Sequence, residues 1–122
     1  MKILVIEPGK VPEEREIGGS LEDMQQLVGG YIQVIYPFPE EVALVCHDEG
    51  KLQGLPLNRA LRDSRGEIYD IISGTFFLCA APADSEHFES LTEEQVKKYS
   101  ALFHSPETFL NRGGQIICLS TQ

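Results

Sequence analysis

Three of the five arginines in this 122-residue chain, Arg59, Arg62 and Arg65, fall within seven residues. At helical spacing, positions i, i+3 and i+6 would come near one face. With Asn58 just before them, they would present forked donors to a phosphate or carboxylate group. The spot is notable because nineteen Asp and Glu outnumber ten Lys and Arg, for a formal net charge of -9. A plainer role is also open. The same arginines would pair with Asp63, Glu67, Asp70 or neighbouring acids and anchor an irregular loop. In the first case, Asn58, Arg59, Arg62 and Arg65 form an anion site, with the Gly29-Gly30-Tyr31 turn contributing. In the second they are structural.

Other reactive side chains carry less of a pattern. Cys46, Cys79 and Cys118 each sit in an apolar stretch, as buried free cysteines do. No CxxC pair points to zinc or to thiol exchange. Only Cys46 has a histidine beside it, and in a strand Cys46 and His47 point to opposite faces. His47, His87 and His104 lie at unrelated spacings, and no HExxH or GxSxG pattern is present. His47, beside Asp48 and Glu49, reads as a solvated hairpin shoulder. His104 reads as a cation at a helix C-terminus. The adjacent pairs Glu13-Glu14, Glu40-Glu41 and Glu93-Glu94 read as surface charge. Neither a metal nor a cofactor is expected.

The elements that must position these residues follow from local signals. Residues 2–7 read as a strand, and Val11 to Ile17 as a charged edge segment. Ser20 caps a helix with Leu21, Met24, Leu27 and Val28 on its apolar stripe, stopped by Gly29-Gly30. Tyr31–Tyr36 and Val42–His47 read as strands. Asp48-Glu49-Gly50-Lys51 suits a hairpin loop with a glycine at positive φ, and residues 52–57 its returning strand. Residues 58–66 read as an irregular helical turn or ordered loop. Ile68 to Ala80 is apolar but broken at Ser73-Gly74-Thr75, by a bend in one strand or a turn between two. Residues 81–94 form an acidic, solvated loop. Thr92 with Gln95 opens a second helix through His104, with Val96, Tyr99, Leu102 and Phe103 facing inward. Ser105-Pro106 starts a further short turn, and residues 115–120 make a last strand.

The sum is one compact α+β domain over residues 1–122. A mixed or mainly antiparallel sheet of about six strands packs against two or three helices. The N-terminal apolar run ends at Glu7-Pro8-Gly9, too short for a signal peptide, and no window approaches a membrane span. A cytoplasmic protein is expected, without membrane or direct nucleic-acid binding, because phosphate neutralisation needs clustered cations.

Several short segments together resemble a known family. They are Leu27-Val28-Gly29-Gly30-Tyr31-Ile32, Asp48-Glu49-Gly50-Lys51-Leu52, Gly54-Leu55-Pro56-Leu57-Asn58-Arg59-Ala60 and Ile72-Ser73-Gly74-Thr75-Phe76. Over roughly residues 2 to 80 the chain resembles the domain-of-unknown-function family thirty-eight forty-six. That family is carried by bacteriophages and by integrative or conjugative elements. His47-Asp48 stands where the family usually has an Asn or similar before Glu49-Gly50. The resemblance implies a mobile-element setting and no chemistry. The expected function is therefore a non-enzymatic accessory protein that binds a host protein, an anti-defence role included. Its alternatives are a small anionic-ligand binder, nucleotide-like in ligand, using the arginine cluster, and an enzyme of unrecognised type. Exposed edge strands in so small a domain make a homodimer a further expectation.

Overall fold

The computed structural model describes residues 1–120. In chain order the elements are β1 (Lys2–Ile6), β2 (Glu13–Glu16), α1 (Leu21–Val28), β3 (Ile32–Ile35), β4 (Val42–His47) and β5 (Leu57–Arg62). Then come β6 (Ile68–Ser73), β7 (Phe76–Ala80), α2 (Glu93–Leu102), β8 (Glu107–Arg112) and β9 (Gln115–Ser120). Strands β2-β1-β7-β4-β3 form one sheet in which every neighbouring pair is antiparallel. β5 with β6, and β8 with β9, form two antiparallel ribbons. The fold is α+β and antiparallel, with nine strands among the described residues where about six were expected.

Strand alternation gives the sheet two buried faces. Ile3, Val5, Ala43, Val45, Phe77 and Cys79 pack against Met24 and Val28 of α1. Leu4, Ile6, Leu44, Cys46, Phe76 and Leu78 face the other way, toward Tyr99 of α2 and its C-cap Phe103 and toward Leu61 and Ile72 of the β5–β6 ribbon. Each fully buried side chain of this kind contributes about 1.5–3 kcal/mol. Charged β2 closes one edge, as its Glu-Glu-Arg-Glu sequence predicts.

Both helices start where their caps predict. Ser20 Oγ accepts the Asp23 N–H, and Gly29 ends α1 in the left-handed region at φ 86°. The capping box of α2 is complete: Gln95 N–H donates to Thr92 Oγ1 at 3.1 Å, and Thr92 N–H to Gln95 Oε1 at 2.9 Å. Leu21 and Leu102, expected inside, are exposed. Each lies near a helix end, beyond the reach of the sheet. The Tyr99 hydroxyl donates to Glu40 at 2.9 Å, tying α2 to the β3–β4 connection.

Three segments differ from expectation, and the open choice at 73–75 is decided for two strands. Over the expected strand at 52–57 the chain turns instead, held by Gln53 N–H to Glu49 O and Leu55 N–H to Gly50 O, and only Leu57, the first residue of β5, is strand. Gly54, not Gly50, takes the positive φ there. Residues 58–62, expected as a loop or helical turn, belong to β5. The break at 73–75 separates two strands that lie in different sheets. Finally, the turn expected after Pro106 is β8. A proline holds its predecessor extended, and Gly113-Gly114, both at positive φ, form a two-residue hairpin turn.

Candidate functional site

The arginine segment lies on a strand, so its members part. Asn58 and Arg59 are buried, at 0% and 1% exposure. Asn58 Nδ2 donates to Ile6 O at 2.9 Å and to Gly74 O at 2.8 Å, joining the end of β1 to the β6–β7 corner. Arg59 donates to Phe103 O from Nε (3.2 Å) and Nη2 (2.9 Å), to Lys10 O from Nη2 (2.6 Å), and to Asn58 Oδ1 from Nη1 (2.9 Å). Burial pulls its pKa down, against the opposing charge of Glu107.

Arg62 points elsewhere. Its Nη2 meets Glu107 Oε2 at 2.9 Å, and the same carboxylate accepts the Ala60 N–H and the Cys118 thiol. Arg65 sits in the Asp63–Gly66 turn, where its N–H donates to Asp63 Oδ1. Its guanidinium has no side-chain partner among the described residues. The four residues therefore share no face. Of the acids expected as partners, Asp63 holds the turn through backbone N–H groups and Asp70 pairs with Lys51. The carboxylate that takes Arg62 is Glu107, 45 residues away.

The short segments that carry the family resemblance meet at one corner of the sheet, and glycines let them approach. A Cβ on Gly30 would lie 2.4 Å from His47 Nε2, and one on Gly50 would lie 2.8 Å from Ser73 O. Between them, Asp48 N–H donates to Tyr31 O at 2.8 Å and Gly74 N–H to Pro56 O at 2.7 Å. His47 is thus no solvated shoulder. It is 7% exposed, its Nδ1 accepting the Glu49 N–H at 2.9 Å. As alternation predicts, Cys46 points to the opposite face, into the core under α2.

Two hollows share His47 and Glu49. One, of about 320 Å³, runs past Cys46, Lys51, Asp70 and Ser73. The other, of about 260 Å³, lies against Gly30 and Tyr31. Burial, with the charges of Asp70 and Asp48, pushes the Cys46 thiol up to about 11, and burial pushes Cys79 up to about 12. Neither supplies a thiolate at neutral pH. Among the described residues, no group of three or more His, Cys, Asp and Glu is placed to hold a metal ion.

A third hollow, of about 560 Å³, is apolar. Leu55, Leu57, Ile68, Tyr69, Ile71 and Ile116 line it, and Lys51 and Asp70 pair at its rim. Ile68, Tyr69 and Ile116 are each about half exposed. This groove has no signature in the sequence, because its lining is assembled from four separate segments, the turns before β5, then β5, β6 and β9.

The class of protein is thus a small α+β domain: an antiparallel sheet covered on one face by α1 and on the other by α2 and a ribbon. The chain belongs to the domain of unknown function family DUF3846, which matches residues 1–104. The match extends past residue 80 through the whole of α2 and stops before the β8–β9 ribbon. No curated protein and no solved structure matches the chain. Among the described residues, no helix is long and apolar enough to cross a membrane.

Proposed function

We propose that this chain is a non-enzymatic binding module of a bacteriophage or mobile element, and that it holds a basic host protein, an anti-defence target included. The observation that carries the reading is the apolar groove, where Ile68, Tyr69 and Ile116 stand exposed around one hollow. Grouped apolar side chains on an acidic, charge-rich surface mark a docking site more often than scattered ones do. The net charge of -9 selects a partner with apolar residues inside a basic rim. The mobile-element setting rests on the family resemblance alone.

The anionic-ligand alternative rests on Arg65, whose guanidinium has no side-chain partner among the described residues, and on the exposed side of Arg62. Arg59 and Asn58 have their donors committed within the protein. A thermal-shift panel of nucleotides, repeated on Arg62→Ala and Arg65→Ala, separates this reading. A shift abolished by those variants favours it over the groove.

The docking reading is tested with the immobilised chain and a host lysate, at low and high salt. Wild type should retain a basic protein that Tyr69→Asp and Ile116→Asp do not, and salt should release it. Sedimentation of the chain alone shows whether a second copy occupies the groove instead. A captured set identical for wild type and both variants would reject the groove.

A further inference from the structure

We propose that the free edge of β3 is a self-pairing interface, at which two copies of this chain join β3 to β3 in antiparallel fashion. Their five-stranded sheets then run on into one. The two edges of the sheet, β2 and β3, are treated very differently by the sequence. β2 reads Glu-Glu-Arg-Glu, and charge of this kind repels a further strand. At the other edge, residues 31–36 read Tyr-Ile-Gln-Val-Ile-Tyr, with no charge and no proline. Ile32, Val34 and Ile35 are β-branched, so the segment favours pairing and nothing in it guards the edge. No residue of β3 is fully buried, although every residue of neighbouring β4 is. Tyr31 and Tyr36, which flank the strand, are 75% and 63% exposed.

The direction of the backbone groups follows from one hydrogen bond. Asp48 N–H donates to Tyr31 O, so Tyr31 and Asp48 are a hydrogen-bonded pair. The register then makes Gln33–Cys46 and Ile35–Leu44 hydrogen-bonded pairs, with Ile32–His47 and Val34–Val45 the non-bonded pairs between them. The N–H and C=O groups of Ile32 and Val34 therefore point away from β4. Among the described residues, no other group meets them.

A second copy fits this edge because the segment is complementary to itself. A two-fold pairing centred on Val34 sets Val34 opposite its own copy and Ile32 opposite Tyr36 of the second chain. Each of these pairs brings together outward-facing backbone groups that can exchange hydrogen bonds. Tyr36 then packs on a β-branched neighbour across the strands, a favoured pair, and Ile32 and Val34 lose their remaining exposure. Charge selects the same place. Two chains of net charge -9 repel wherever acids meet, but residues 31–36 carry none. The uncharged edge of β9 is the competing surface, and hydrogen exchange separates the two. None of residues 31–36 lines the apolar groove, so this interface stands or falls independently of the docking reading.

The test is sedimentation velocity of the full chain from about 5 to 500 µM, at low and high salt. A monomer–dimer equilibrium with a dissociation constant of about 10–100 µM is expected, as suits a small interface. It should tighten with salt, which screens two chains of like charge, whereas capture of a basic protein weakens. Val34→Pro removes the outward N–H without touching the β4 ladder, and should weaken the dimer at least about tenfold. Gln33→Glu, isosteric and at an exposed position, sets like charges diagonally across the pairing. It should weaken the dimer at low salt and recover at high salt. Tyr69→Asp, in the groove, should leave the dimer unchanged. Hydrogen–deuterium exchange should show protection over residues 31–36 that grows with protein concentration. The proposal is overturned if the chain stays monomeric throughout, or if natively folded Val34→Pro and Gln33→Glu dimerise as wild type does. It is equally overturned if Tyr69→Asp abolishes the dimer, or if the added protection falls on β9 instead of β3.

Discussion

Arg59 and Phe103 are joined by two hydrogen bonds from one guanidinium to one carbonyl, at 3.2 and 2.9 Å. Phe103 is the C-cap of α2, whose last turn holds no basic residue. A cation from β5, 44 residues earlier in the chain, therefore meets the negative end of the helix. The same side chain reaches Lys10 O, so one guanidinium ties three separate segments of the chain together.

Truncation at this position should be severe. Arg59→Ala leaves the Phe103 and Lys10 carbonyls without their buried donors and opens a cavity, at a cost of about 3–5 kcal/mol. Arg59→Lys should lose most of the same stability, because a single ammonium cannot fork across both carbonyls. Urea denaturation followed by circular dichroism measures both.

A pH dependence follows from Glu107. Burial pushes its carboxyl up, but Arg62, the Cys118 thiol and the Ala60 N–H together hold it below its ordinary value. A folded-state pKa below the unfolded one gives stability that is complete above the unfolded value and fades as pH falls through the folded value. Melting temperature should therefore drop on acidification below about pH 4.5, and Glu107→Gln should flatten that part of the curve. At neutral pH, Glu107→Gln should cost about 1–2 kcal/mol.

Ser73 Oγ is the only buried side-chain polar atom without a hydrogen-bond partner among the described residues, and Ser73 is 4% exposed. Ser73→Ala removes that burden with little change in volume. It should stabilise the fold by about 1 kcal/mol, read from the midpoint of the same denaturation curve.

The thiols should become reactive only once the fold opens. Burial raises Cys46 and Cys79 to about 11 and about 12. Cys118 is raised by burial and by its hydrogen bond to Glu107. At pH 8 the native chain should react slowly with Ellman's reagent at all three and quickly in urea. Glu107→Gln should speed Cys118 alone, which mass spectrometry of the labelled peptides can resolve.

Features with local causes were legible in the sequence. Ser20, Thr92 with Gln95, and Gly29 mark helix ends through their own neighbours, and the apolar runs of β1 and β4 announce buried strands. The arginine segment was not legible in the same way. A buried Arg59 is acceptable only because carbonyls at 10 and 103 come to it, and neither is visible from residues 58–66. Glu107, the partner of Arg62, was hidden behind Ser105-Pro106, which reads as a turn. His47 looked solvated beside Asp48 and Glu49, and is buried because Gly30 lacks a side chain. The apolar groove has no linear signal at all.

The docking claim is met most directly by hydrogen–deuterium exchange on the chain with and without the purified partner it captures. The account predicts added protection in the 51–57 turns, in β6 and along β9, the segments that bound the groove. Protection confined to the Asp63–Gly66 turn around Arg65, with the groove unchanged, would contradict it.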